Sequence, residues 1–171
     1  MKFLIGVVFG LILLPVFVFV GLRLGYAPVA TAAPPLPFEK TLTGMALNAR
    51  LAKEAPKQSP ITATQANLLA GAKTYLDYCS ECHGMSGGAS SAAAKGMFPA
   101  PPQFFHGDDL SSDPVGETYW KASNGIRLTG MPAFRGTLTD DQLWQVSQLL
   151  ANGNRLPAAV QGVMAGTMAA K

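Results

Sequence analysis

Only two cysteines occur in the 171 residues, three positions apart and followed at once by a histidine, in Cys79-Ser80-Glu81-Cys82-His83. Whatever the chain folds into must bring these three side chains onto one turn of backbone. A structural disulfide would close a loop too short to stabilise much, and it leaves His83 without a purpose. A thioredoxin-like redox pair needs a βαβ setting. Zinc would need all four Cys and His residues present, Cys79, Cys82, His83 and His106, and adjacent ligands at 82 and 83 do not fit finger spacing.

Covalent haem satisfies the spacing. Two thiols three apart reach the two vinyl groups of one porphyrin, and the next residue falls under the iron as an axial ligand. A buried haem also supplies bulk to a segment of about 90 residues with few large side chains, which is otherwise short of core. One haem c, attached through Cys79 and Cys82, is the expected cofactor.

Phe3 to Leu22 is an uncharged, mostly apolar run between Lys2 and Arg23. At 1.5 Å per residue its twenty positions would cross a hydrocarbon core of about 30 Å. Ala30-Thr31-Ala32 offers a small-residue cleavage site, but the apolar run exceeds a signal-peptide core and the site lies far beyond its end. The sequence therefore favours an uncleaved anchor over residues 1–26. Either reading exports the C-terminal portion, and haem attachment outside the membrane puts the haem domain in the periplasm or on the outer face of the cytoplasmic membrane.

The formal net charge is +3, yet the surplus does not lie in the domain. From Thr64 to Arg155 six basic residues (Lys73, Lys95, Lys121, Arg127, Arg135, Arg155) face eight acidic ones (Asp77, Glu81, Asp108, Asp109, Asp113, Glu117, Asp140, Asp141). No basic cluster of the nucleic-acid kind is present.

Pro28, Pro34, Pro35, Pro37, Pro56 and Pro60 make residues 27–64 a semi-rigid linker, with a short helix over Leu42 to Ala55 where proline is missing. A haem domain is expected over 65–153. Its first helix carries Leu68, Leu69, Ala72, Tyr75, Leu76 and Cys79 at spacings of three and four, and Gly71 inside it marks a close backbone approach. Residues 84–96 and the proline loop 98–105 are expected to be irregular. A second helix runs from Pro114 to Ser123, with Asp113 as N-cap and Asn124-Gly125 closing it. The last starts at a capping box, Thr139 with Gln142, and its apolar stripe is Leu143, Val146, Leu149 and Leu150. Residues 154–171 read as a frayed, flexible tail. The fold class is all-α, preceded by a transmembrane helix.

At these residues the chain resembles the class I c-type cytochromes. The matching stretches are Gly71 and Tyr75 leading into Cys79-x-x-Cys82-His83-Gly84, the loop near Pro101-Pro102, Asn124-Gly125-Ile126 leading into Gly130-Met131-Pro132-Ala133-Phe134, and Leu138-Thr139-Asp140-Asp141-Gln142-Leu143-Trp144. The resemblance covers about 65–153 and implies helices around one haem, His and Met axial ligands, and electron transfer. It also implies that a carbonyl near Pro102 accepts the second imidazole N–H.

Met131, Met97, Met85 and His106 compete for the distal iron position. Met85 follows His83 too closely to pass the porphyrin edge. Met97 could reach, but a loop methionine is more often a packing residue. Met131 lies 48 residues past His83 in a Gly-Met-Pro turn, at the family's ligand position, and is preferred. His106 reads as an exposed loop histidine. Arg127, Trp120 and Tyr119 are candidates for bonding the propionates, each equally readable as plain surface or core.

The expected function is a membrane-tethered carrier of one electron between redox protein partners, with no nucleic acid and no small-molecule substrate. A fixed haem subunit of a larger dehydrogenase or oxidase shares nearly all these features. A gas sensor or peroxidase-like protein is the reading from another class if Met131 does not ligate iron.

Overall fold

The computed structural model describes residues 2–105 and 113–166, so His106 lies outside the described residues. The chain divides into two compact units, residues 1–40 and 41–171. The first unit holds α1 (Lys2–Arg23), which is the one described helix long and apolar enough to cross a membrane, and none of it is buried. Pro15 removes one helical hydrogen bond inside it.

The second unit is all-helical. Among its described residues no strand forms, and the only bridge pairs Arg135 with Leu138. Helix α2 (Glu39–Glu54) is longer than the helix expected at 42–55. It is also built into the haem-domain unit, where Leu51 is only 3% exposed. The Glu54 carboxylate accepts the Trp120 indole N–H at 3.1 Å and pairs with Arg50 at 2.9 Å. Just beyond, the Pro56 backbone lies so close to Gly116 that a Cβ there would overlap its carbonyl oxygen. The expected linker of 27–64 is thus a spacer only in its first part. Further on, the Gln148 amide donates to the Ile61 carbonyl at 2.9 Å and Asn67 to that of Thr62 at 2.9 Å.

Helix α3 (Gln65–Tyr78) starts on Thr64, whose hydroxyl accepts the Asn67 N–H at 3.2 Å. It buries Leu68, Gly71, Ala72, Thr74 and Tyr75, and crosses the last helix of the core, α7 (Asp140–Ala151). The crossing passes at Gly71, where a Cβ would meet the Gln145 carbonyl oxygen at 2.3 Å. Both bonds of the Thr139–Gln142 capping box form at the start of α7. Between them come α4 (Ser80–His83), α5 (Ala92–Lys95) and α6 (Val115–Asn124). The single turn α5 interrupts the stretch expected to be irregular, because the Ser91 hydroxyl caps the Ala94 N–H at 3.0 Å. Helix α6 begins one residue later than expected. Pro114 takes the N-cap in an extended conformation, and Asp113 instead binds Lys121 Nζ at 2.6 Å.

Over the described residues 154–166, the structure corrects the flexible tail expected at 154–171. A 3-10 turn (Gly153–Arg155) leads into α8 (Ala158–Met164), which packs against α3. Leu156, Val160, Val163 and Met164 are buried in one cluster with Leu68, Ala72, Tyr75 and Leu149. Within α8, Val163 and Met164 stand three and four residues after Val160 and so share one helical face, a period hidden by the surrounding Ala and Gly.

Candidate cofactor site

Helix α3 ends on Cys79, which is also the cap of α4, so the two cysteines and the histidine sit on one continuing turn. The Cys82 and His83 N–H groups both reach the Cys79 carbonyl, at 3.2 and 2.9 Å, and Gly84 N–H reaches that of Ser80 at 2.8 Å. The two thiols are unbridged and half-buried. Burial, and then the neighbouring Cys82, push the Cys79 thiol up to about 12. Gly84 turns the chain away at φ 79°, a conformation that favours glycine.

The turn is fastened from beneath by Tyr75, which is fully buried. Its hydroxyl donates to the Gly84 carbonyl at 2.7 Å and to the His83 carbonyl at 3.2 Å, and its ring meets Phe105 edge-on at 5.3 Å. Burial, then the proximity of Cys79, raises the phenol above its ordinary value. Tyr75→Phe leaves two buried carbonyls short of a donor and is expected to cost about 1–3 kcal/mol. A lower guanidinium midpoint at unchanged slope would show it.

His83 is buried, and its Nδ1 lies 2.8 Å from the Pro102 carbonyl. A carbonyl can only accept, so Nδ1 carries the proton and donates, leaving the Nε2 lone pair free to bind a metal. Desolvation lowers the imidazole's affinity for a second proton, against the opposing effect of the Pro102 bond. The histidine is thereby held in the neutral form that a metal ligand requires. The proline loop is tied to the motif by Gln103, whose amide donates to the Cys82 carbonyl at 2.9 Å and to that of Pro101 at 3.1 Å. Phe104 stacks on the His83 ring at 4.7 Å and 17°.

The second half of the site is the loop after α6. It folds back because Gly125 (φ 66°) has no side chain: a Cβ there would lie 2.7 Å from Ala133 N and 2.9 Å from the Met131 carbonyl oxygen. Met131 is gripped at both backbone atoms. Its N–H donates to the Thr129 hydroxyl at 3.1 Å, and its carbonyl accepts the Ile126 N–H at 3.2 Å. The Phe134 and Arg135 N–H groups then return to the Ala122 and Ser123 carbonyls of α6, at 3.0 and 3.2 Å. Met97 lies against Gly130, where a Cβ would sit 2.7 Å from its Sδ, so two methionines converge at this loop. Met85 is exposed.

The propionate candidates are placed unevenly. The one N–H of Trp120 is taken by Glu54, the Tyr119 hydroxyl is bonded to Asp140 with the ring stacked on Trp144, and Arg127 is exposed at the corner of the Met131 loop. The roles of Gln103, Phe104 and Thr129 were not visible in the sequence. Only the position of Gln103 directly after Pro101-Pro102 hinted at its part.

A thiol pair on a helical turn, a neutral buried imidazole with one nitrogen fixed, and a methionine loop held at its backbone are the groups that a covalently bound haem would use. Among the described residues no three His, Cys, Asp or Glu side chains gather as a cage for a bare metal ion. Residues 66–150 match the family model described as cytochrome c oxidase, cbb3-type, subunit III. With that match and the apolar helix before it, the chain is a membrane-anchored class I c-type cytochrome. Its domain carries haem c covalently, and its role is electron transfer. No curated protein matches the chain.

Proposed function

We propose that this protein is a membrane-tethered, single-haem carrier that passes one electron between redox proteins on the outer face of the cytoplasmic membrane. The observation that carries the reading is the buried His83, with Nδ1 pinned to the Pro102 carbonyl directly behind the two cysteines. Cys79 and Cys82 would hold the porphyrin by thioethers, and His83 Nε2 and Met131 Sδ would bind the iron. When bound, the haem supplies one reversible electron at iron. Two strong protein ligands leave no open position for substrate, and a thioether ligand raises the potential relative to two histidines. The protein's own part is to orient His83, to keep it neutral and to hold Met131 by its backbone. Arg127 remains the candidate for a propionate, whereas the bond of Trp120 to Glu54 speaks against that role for the indole.

Met131→Ala is the test. The oxidised protein is expected to lose its sulfur-to-iron charge-transfer band and the reduced protein to gain rapid CO binding. A band left unchanged would remove Met131 from the iron, and rapid CO binding by the parent would favour a gas-binding protein. A second reading, a fixed haem subunit of an oxidase, is favoured by the description of the matched family. Gentle solubilisation followed by native electrophoresis separates the two, since a carrier migrates alone and a subunit does not.

A further inference from the structure

The turn before Met131 spends backbone strain to expose a leucine. Thr129 N–H closes it on the Ile126 carbonyl at 3.3 Å, and the Thr129 hydroxyl adds a bond to the same oxygen at 2.7 Å. Leu128 occupies the third position of this turn at φ 60°, where a turn of this shape calls for glycine or asparagine. A bulky side chain there is an outlier with a cost, and such outliers gather at working sites. The side chain recovers nothing by packing, since it is 91% exposed.

Charge singles out the same loop. Residues 125–138 carry Arg127 and Arg135, both exposed, and no carboxylate, while the rest of 64–155 has four basic residues against eight acidic ones. The next carboxylates, Asp140 and Asp141, open α7, and Asp140 accepts the Tyr119 hydroxyl. An apolar tip beside two cations, on an otherwise acidic domain, is complementary to an apolar patch bordered by carboxylates.

We propose that Leu128 is the contact point for the electron-transfer partner, a redox protein whose surface presents an apolar patch beside acidic residues. The hydroxyl that closes the turn also accepts the Met131 N–H, so docking occurs two hydrogen bonds from the sulfur ligand. This rests on the electron-carrier reading.

The test uses the full-length holoprotein in nanodiscs. The probes are a blue-copper protein with an apolar patch beside an acidic one, and a small neutral cobalt complex, both followed by stopped flow. Leu128→Gly is expected to keep the haem spectrum, the melting temperature or better, and the rate with the cobalt complex, while slowing reaction with the copper protein about fivefold or more. Arg135→Gln is expected to lower that rate about two- to threefold and to flatten its dependence on salt. An unchanged copper-protein rate in Leu128→Gly, or a lower melting temperature, overturns the proposal. So does a parent rate that falls in anionic nanodiscs but is restored by Leu128→Gly, which would assign the turn to lipid. Failure of the parent to exchange electrons even with the cobalt complex would strike at the carrier reading itself.

Discussion

Replacing Gly71 by alanine is expected to lower stability by about 3 kcal/mol or more, the upper end of what one added methyl does in a packed interior. The new Cβ would stand 2.3 Å from the Gln145 carbonyl oxygen, 2.7 Å from its carbon and 3.2 Å from Leu149 Cβ. Two of those atoms are backbone of α7, so no rotamer change relieves the overlap and the helices must separate. Separation would open the cluster of Leu68, Ala72, Tyr75, Leu149 and Leu150 that α3 shares with α7. For a domain of this size about 3 kcal/mol corresponds to a fall in melting temperature of at least about 12 °C. Gly44→Ala in α2 serves as the control. Nothing lies within 4 Å of its Cβ, and the better helix former is expected to be neutral or to stabilise by up to about 1 kcal/mol. Equal melting temperatures for Gly71→Ala and the parent would mean that the two helices do not cross at this glycine.

The larger functional effect is expected from Cys79→Ser with Cys82→Ser. Serine preserves the turn, whose hydrogen bonds run between backbone atoms or from side chains such as Tyr75 and Gln103 to backbone carbonyls, and His83 keeps its Pro102 partner. What is lost is the covalent link. Acidified organic solvent should then extract all the haem from the variant and none from the parent, and haem staining on a denaturing gel should disappear. Because loss of haem also removes the body around which the helices pack, steady-state protein is expected to fall about tenfold or more. A variant that still retained haem through the extraction would show that these thiols are not the attachment points. Either single variant should keep a one-armed link and give an intermediate yield.

The sequence made the local turns readable because their signals are local. The capping box at Thr139 and the close approach at Gly71 each need only a few neighbouring residues, and each appears as expected. The motif at 79–83 was readable for the same reason. What escaped were contacts between distant segments. Trp120 was open to reading as a propionate donor because its neighbours in sequence say nothing of Glu54, which lies 66 residues away. Helix α8 was missed because it follows Pro157 and its remaining residues are Ala, Gly and a single Gln, so no broad polar face defines the stripe. The assignment of Pro102 as acceptor came from resemblance alone, and the 2.8 Å contact from His83 supplies its physical basis.

The packing of Leu51 and Glu54 into the haem unit has a further consequence, in the length of the leash. Had all of 27–64 been free spacer, about 38 residues could reach on the order of 130 Å. With α2 starting at Glu39 and α1 ending at Arg23, only residues 24–38 remain between helices, which allows about 50 Å at full stretch. Pro28, Pro34, Pro35 and Pro37 stiffen that length further. An electron held on so short a tether can be handed only to proteins whose own redox centres come close to the same membrane surface. The chain's partners are therefore restricted by height above the bilayer as well as by the chemistry of their surfaces.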